Sequence, residues 1–493
     1  MTNLSDLFPA GAGKQVAFTA SGNVSAAGKP VILNTNGTVT QVASSAVSGA
    51  IGSAATYQSS VAFETAATFD SDNNKVVVAF QGPLNYGYAV VGTVSGTSIS
   101  WGSPVVFSST NTARYMAATF DSNTNRVVIA YQDFSNNSYG TAIVGQVSGT
   151  SISFGAATVF AAENACNDFA ATFDSANNKV VIAYRNSSNY GDAIVGTVTG
   201  GGTNSIAFGT KDQYTTGTAQ YQAITFDPDT DQVIIAFGDT SQPNGKILTA
   251  SVSGTSINCA TPVVFSSNSA RPGRDDGIAY DSASNKVVIG YQDVTQSDNG
   301  YAIVGTVDGT TLTFGTAVQF SSSTVDPPQV SYNVAANKHV IAYPEYTNPS
   351  SGEYVVGTVS GTAISFTSPA AFESGTPNYV AITYDSSQEK TVVAFADTGD
   401  SNYGKGVVIQ PAYTSTNLTA TNFIGVSDEA ISSSASGNIT LKGGISATGL
   451  SSLTPGSDYY VQIDGTFGTS ADDPSVKAGK ALSATVLNLE YTS

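Results

Sequence analysis

The chain has 493 residues, of which 41% are hydrophobic but only 11% charged. Acids outnumber Lys plus Arg 36 to 18, a formal charge of −18 with no basic cluster to offset it, which argues against a nucleic-acid partner. The two cysteines form neither a disulfide framework nor a metal-ligand set, and no apolar run is long enough to insert into a membrane.

The opening "MTNLSDLFPAGAGK" lacks a basic segment followed by an apolar one, so no signal peptide is expected and synthesis in a cytoplasm is. "GNVSAAGKPVILNTNGTVTQV" (22–42) predicts two short strands about an Asn36-Gly37 hairpin turn. From there a sentence repeats. "TFDSDNNKVVVAF" (68–80) returns as "TFDSNTNRVVIAY" (119–131), "TFDSANNKVVIAY" (172–184) and in four later copies. The Asp or Asn of each copy stands at 70, 121, 174, 227, 281, 333 and 385, so the period is 51 to 54 residues.

Each period holds four runs rich in Val, Ile, Thr, Phe and Tyr, bounded by Asn, Asp, Gly and Ser. In the second they are 116–121, 125–131, 140–147 and 151–160. No 3.6-residue apolar pattern is sustained, so helix is not expected. Four antiparallel strands per fifty residues is the pattern of a propeller blade. The first run carries a small residue, such as Ala66, Ala117 or Ala170, where inner strands crowd an axis; Gln329 departs from this. The second run is apolar throughout, as a strand buried on both faces requires.

The repeats are expected near 61–108, 109–161, 162–215, 216–266, 267–321, 322–372 and 373–413. The last lacks a fourth strand. "IGSAATYQSS" (51–60) aligns with "FGTAVQFSSS" (314–323), so residues 50–60 are expected to supply that strand and clasp the ring. The expected fold is therefore all-β: a seven-bladed β-propeller over 46–413 with an N-terminal strand clasp. It is inserted in a small discontinuous β domain made of residues 1–45 and 414–493, since neither flank buries much alone.

Comparing the copies separates scaffold from variable surface. The turns between strands one and two ("DSxxNK") and three and four ("VSGTS") hardly vary. The loops at the other end diverge, as in "QDFSNNSYG" (132–140) and "RNSSNYGD" (185–192). Binding residues concentrate on loops held by a rigid scaffold. The candidates on this face are Asn85, Tyr86, Arg114, Tyr115, Asp133, Asn136, Tyr139, Arg185, Tyr190 and Tyr221. Asp239, Arg271, Arg274, Asp293, Glu345, Tyr346, Asp397 and Tyr403 complete the set. Planar polar groups hydrogen-bond sugar hydroxyls and Tyr rings cover sugar C–H faces, so a glycan fits; a protein ligand and ordinary solvated loops are the alternatives. The acids after the second strand suggest a cation ring, but an Asp there more often accepts N–H groups of its own turn. "DSDNN" (70–74) and "DPDTD" (227–231) lack the later glutamate of a calcium loop.

A sialidase-like site needs converging arginines, and the chain has five, of which Arg126 falls at the invariant end. Trp101 is the only tryptophan and no Ser-x-Asp-x-Gly-x-x-Trp box occurs. The single histidine, His339, replaces a strand valine, and no zinc, P-loop or nucleophile-elbow pattern is present. No catalytic residue, metal or cofactor is expected, and a carboxylate-pair glycosidase is the lesser alternative.

The opening "NLSDLFPAGAGKQVAFTASGNVSAAGKPVILNTNGTV", the closing "GLSSLTPGSDYYVQIDGTFGT" and the "NKVVIAYQD…YGTAIVGTVSGTSISFG" repeats resemble virion fibre and structural proteins of tailed bacteriophages, especially marine ones. The resemblance implies a non-enzymatic virion protein, a fibre or adhesin whose variable face binds a host glycan or protein receptor. A capsid or tail decoration protein is the alternative. Other virion proteins are then expected partners through the flanking β domain, with homotrimeric assembly as a further expectation.

Overall fold

The computed structural model describes residues 14–490 apart from 110, 111, 203, 348 and 473. Residues 1–13, which open the phage-like segment, lie outside the described residues. The chain divides into two units, Ser48–Pro411 and the combination of Met1–Val47 with Ala412–Ser493.

The larger unit consists of seven antiparallel sheets, one per repeat. The second shows the plan. Ala113–Asp121 pairs with Arg126–Asp133, that strand with Tyr139–Ser148, and the last with both Ser151–Phe154 and Thr158–Ala161. The run expected as one fourth strand over 151–160 is thus broken in two at the Gly-Ala-Ala step. Other repeats show why a glycine stands there. A Cβ at Gly102, Gly209 or Gly315 would come within 2 Å of the carbonyl oxygen of Thr150, Thr255 or Thr362 in the following repeat.

The invariant turn is an Asx turn. Asp121 Oδ1 accepts from the backbone N–H groups of Asn123 at 2.9 Å and Thr124 at 3.0 Å, and Asn125 then takes a left-handed φ of 55°. Asp70, Asp174, Asp227, Asp281 and Asp385 repeat this bond, so the carboxylates that faintly suggest calcium are occupied by their own backbone.

The inner strands neighbour one another in a cycle: Phe63–Asp70, Ala113–Asp121, Asn167–Asp174, Ala219–Asp227, Ile278–Asp281, Gln329–Asn333, Pro377–Asp385, and back to the first. Seven apolar clusters fill the gaps between successive sheets. One of them joins Tyr57, Ala381, Val392 and Val408 to Val76, Phe80 and Val90 of the first sheet. This is an all-β fold of the β-propeller type. The seventh sheet takes its outer strands from the N-terminal side, with Ile51 opposite Ile409, Ala55 opposite Gly406 and Thr56 opposite Lys405. Gly52 meets the Thr97 carbonyl at 1.8 Å from its would-be Cβ, the same contact made at Gly102, Gly209 and Gly315.

The smaller unit contains two five-stranded sheets and a two-stranded one. In the first, the C-terminal strands Ser436–Leu441 and Phe423–Ser427 pair with each other and are flanked by the N-terminal strands Gln15–Thr19 and Pro30–Leu33. Neither flank therefore makes that sheet alone. The second sheet is wholly C-terminal, and Ile32 and Val42 share a core with its Val461, Val476 and Leu487.

Candidate binding site at the ring axis

The inner strands reach the axis through a repeated irregularity. In five sheets the register shifts two residues before the small residue, and the residue there has positive φ: Glu64 (51°), Tyr115 (50°), Asp168 (50°), Tyr221 (54°) and Tyr379 (52°). A bulge sets two residues against one and re-aims a side chain. Left-handed backbone at Tyr, Glu or Asp costs on the order of 1–3 kcal/mol and recurs where function requires a particular orientation.

Four of these five residues, Glu64, Tyr115, Tyr221 and Tyr379, line a bowl of about 350 Å³ with Met116, Phe169, Arg271, Arg274, Asp326, Gln329 and Asn378. Asp168 lies behind it, buried, and is shared by two guanidiniums: Arg274 Nε at 2.8 Å and Arg185 Nε at 3.4 Å. The Arg274 guanidinium lies 4.9 Å from the Tyr221 ring centre and 5.5 Å from that of Tyr115, and Arg271 lies 5.4 Å from Tyr221. Glu64 Oε2 accepts from the Tyr115 N–H at 3.2 Å. Burial raises the Glu64 carboxyl above its ordinary range, against the pull of Arg274, the Tyr115 bond and Arg114. Tyr346 donates to Asp326 Oδ2 at 2.7 Å, and its hydroxyl oxygen lies 3.3 Å from Asn378 Oδ1, which sets it against two residues of the bowl wall.

Of the residues singled out from sequence, the bowl gathers Tyr115, Tyr221, Arg271 and Arg274, with Arg185 and Tyr346 one contact behind. Arg114 stacks on Phe134, its guanidinium 5.3 Å from the ring centre. The others shape their own loops and do not line the bowl. Asp133 accepts from the Asn136 N–H, Asp239 from Ser241, Asp293 from Thr295, Glu345 from Thr347 and Asp397 from Gly399. Lys246 and Lys405 neutralise Asp239 and Asp397 at 2.7 and 2.6 Å. Asn85, Tyr86, Tyr139 and Tyr190 use their backbone N–H groups to close turns, and Tyr403 stands in register with Asp397 and Val61. Glu64, Asp168, Asp326, Asn378 and Tyr379 are absent from the sequence selection. The signal for three of them was a shared place, two residues before the small residue of the first strand.

The fifth repeat adds a feature that no motif announces. Six residues separate Arg271 from Ile278 there, where three separate Gln220 from Ile224 in the fourth. The extra length enters the axis as a plug. Asp275 Oδ2 accepts from the Ala118 N–H at 3.0 Å and Oδ1 from the Ala171 N–H at 2.8 Å. Its backbone bonds Gln222 and Ile224, the Asp276 carbonyl accepts from Val330, and the Asp276 carboxyl accepts from the Ile382 N–H. One short segment thus ties five other repeats and sets Arg274 at the floor of the bowl. Beyond it a second cavity of about 390 Å³ is lined by Thr68, Thr119, Thr172, Thr225, Ser331, Thr383 and Asp276.

Burial pushes Asp275 up to about 7 and holds Asp276 well above the usual carboxylate range, with the neighbouring Asp275 charge adding to the latter. His339 is fully enclosed against Tyr332, and desolvation lowers it to about 4, so it is neutral. Among the described residues no group of three or more His, Cys, Asp or Glu is placed to hold a metal.

No protein-family profile and no curated protein matches the sequence. Solved structures similar in fold include SapL1 lectin in complex with alpha methyl fucoside, 14% identical, covering 64% of this chain and 98% of that one at a TM-score of 0.36. They also include the Cps50 (Swd1) β-propeller domain of Myceliophteria thermophila, 8% identical over 76% and 100% of the two chains, TM-score 0.43. A chain of a mitotic checkpoint complex is 9% identical over 74% and 95%, TM-score 0.48.

Proposed function

We propose that this chain is a closed seven-bladed β-propeller that binds a glycan in its axial bowl and performs no catalysis. The bowl carries the proposal: three tyrosines held by strained bulges at Tyr115, Tyr221 and Tyr379, interleaved with the planar polar groups of Arg271, Arg274, Asn378 and Gln329. Tyrosine faces pack on sugar C–H surfaces while guanidinium and amide groups meet hydroxyls. Each carboxylate at the bowl has a partner within the fold: Glu64 accepts from a backbone N–H, Asp168 is shared by two arginines and Asp326 accepts from Tyr346. Ring closure by the N-terminal clasp is supported by the Ile51–Ile409 and Thr56–Lys405 pairings and by the Gly52 contact.

The resemblance of both ends and the repeats to tailed-phage proteins supports a place on a virion, with the smaller unit contacting other virion proteins and the bowl meeting the host surface. Antibody labelling of intact particles tests the location; label absent from the particle removes the virion reading. A glycan array tests binding. Tyr221→Ala and Tyr379→Ala, each verified as folded, are expected to lower the array signal about tenfold or more. Signal that survives both substitutions unchanged would move the site away from the bowl.

A further inference from the structure

Resting on the glycan reading, we infer that the ligand is an acidic saccharide, whose carboxylate or sulfate is read by Arg271. The distribution of arginine motivates this. The protein carries a formal charge of −18 and only five arginines, yet four of them, Arg114, Arg185, Arg271 and Arg274, gather in and around one mouth. An acidic protein that concentrates its guanidiniums about one concavity attracts anions there and repels them elsewhere.

The partners single out one residue. Arg274 and Arg185 are spent on Asp168, and Arg114 stacks on Phe134. Arg271 lines the bowl, and among the described residues no carboxylate comes within salt-bridge distance of it. Among the described residues its side chain donates from Nη1 to the neutral Gln292 Oε1 at 3.2 Å. A guanidinium has five donors, and a forked pair of them matches a carboxylate or sulfate bidentately. The Tyr221 ring and the Gln292 bond fix the plane of that fork in advance, so little rotamer freedom is lost when an anion arrives. The acids of the bowl do not compete for Arg271. Asp326 is held by Tyr346, and Glu64 by the Tyr115 N–H. Arg274 is a positioning residue: Asp168 and the plug hold it beside the same Tyr221 ring that Arg271 uses.

The test uses the full chain and matched probes: trigalacturonate, its methyl ester, and a sulfated and an unsulfated galactose trisaccharide, titrated calorimetrically at low and high salt. Binding of the acidic member of a pair about tenfold or more tighter than its neutral partner is expected, the gap narrowing with salt. Arg271→Gln is expected to abolish the gap, weakening the acidic member of each pair about tenfold more than the neutral one, and Arg271→Lys to restore only part of it. The carboxylated and sulfated arms tell the two anions apart. Equal binding of acidic and neutral partners, or a gap that Arg271→Gln leaves intact, overturns the inference while sparing the glycan reading. No binding of any of the four, with array signal absent as well, overturns both.

Discussion

Replacing Asp276 by Asn should make the propeller more stable as pH rises, and the plug supplies the reason. Two adjacent carboxyl groups enter the axis, and among the described residues no Lys, Arg or His lies within salt-bridge distance of either. Asp275 accepts an N–H on each oxygen, from Ala118 and Ala171, and Asp276 accepts from Ile382. Both folded-state pKa values are raised above the unfolded value of 3.8, Asp275 to about 7. The folded chain therefore binds protons that the unfolded chain has released. The resulting stabilisation is complete below the unfolded pKa and is lost as pH climbs through the folded one. Each retained proton tilts stability downward by about 1.4 kcal/mol per pH unit. The amide of Asp276→Asn keeps an acceptor for Ile382 and titrates nothing. Urea unfolding followed by fluorescence of Trp101, wedged between Tyr57 and the Ala55 carbonyl at the junction of the first and seventh sheets, reports on this ring directly. The Asp276→Asn variant should match the parent near pH 5 and gain on it as pH rises towards 7, by no more than about 1.4 kcal/mol per pH unit. Asp275→Asn should behave oppositely, losing about 1–3 kcal/mol at every pH, because its amide turns a donor towards a backbone N–H. Parallel pH profiles for parent and Asp276→Asn, or identical behaviour of the two variants, would refute the account.

His339→Val places in the sixth repeat the residue that Val76, Val127, Val180, Val233 and Val287 provide elsewhere, and removes two buried ring nitrogens that have no hydrogen-bond partner. Because the folded His is lowered to about 4, the unfolded state takes up its proton first and parental stability falls with acidity between pH 6.5 and 4. The Val variant should gain about 1–3 kcal/mol near pH 7 and more at pH 5, and a melting curve unchanged at both would count against a desolvated neutral His. Gly52→Val drives a side chain into the Thr97 carbonyl, so the ring should open at its junction, with Trp101 fluorescence shifting to the red and aggregation by light scattering from the bared strand edge. An unshifted spectrum and an unaltered melting temperature would mean that closure does not depend on that contact.

Much of the scaffold is readable in the chain because its causes are local. The leading Asp of each "DSxxN" turn satisfies backbone groups two and three residues on, and the Val-rich second strand announces burial on both faces without knowledge of its neighbours. Even the N-terminal outer strand is visible, since 51–60 carry the Gly and Tyr that 314–323 carry as Gly and Phe. The site was less legible. The arginines and tyrosines could be assigned to one end of the repeats, but not sorted into those that meet and those that only fold a loop. Asp133, Asp239, Asp293 and Asp397 look as promising in sequence as Asp168, and only pairing shows that their oxygens are taken up by their own turns.

The sequence by itself determined the period, the strands, the invariant turns and which end of each repeat varies, because these follow from hydrophobic alternation and short-range hydrogen bonding. The tertiary structure alone decided that Glu64, Tyr115, Asp168, Tyr221 and Tyr379 turn inward at bulges, that Arg271 stacks on Tyr221 with no carboxylate partner among the described residues, and that Asp275 and Asp276 stopper the axis. Those outcomes depend on groups far apart in the chain, as between Ala118 and Asp275, 157 positions away. No local pattern encodes such a meeting, because it exists only once all seven sheets surround the same axis.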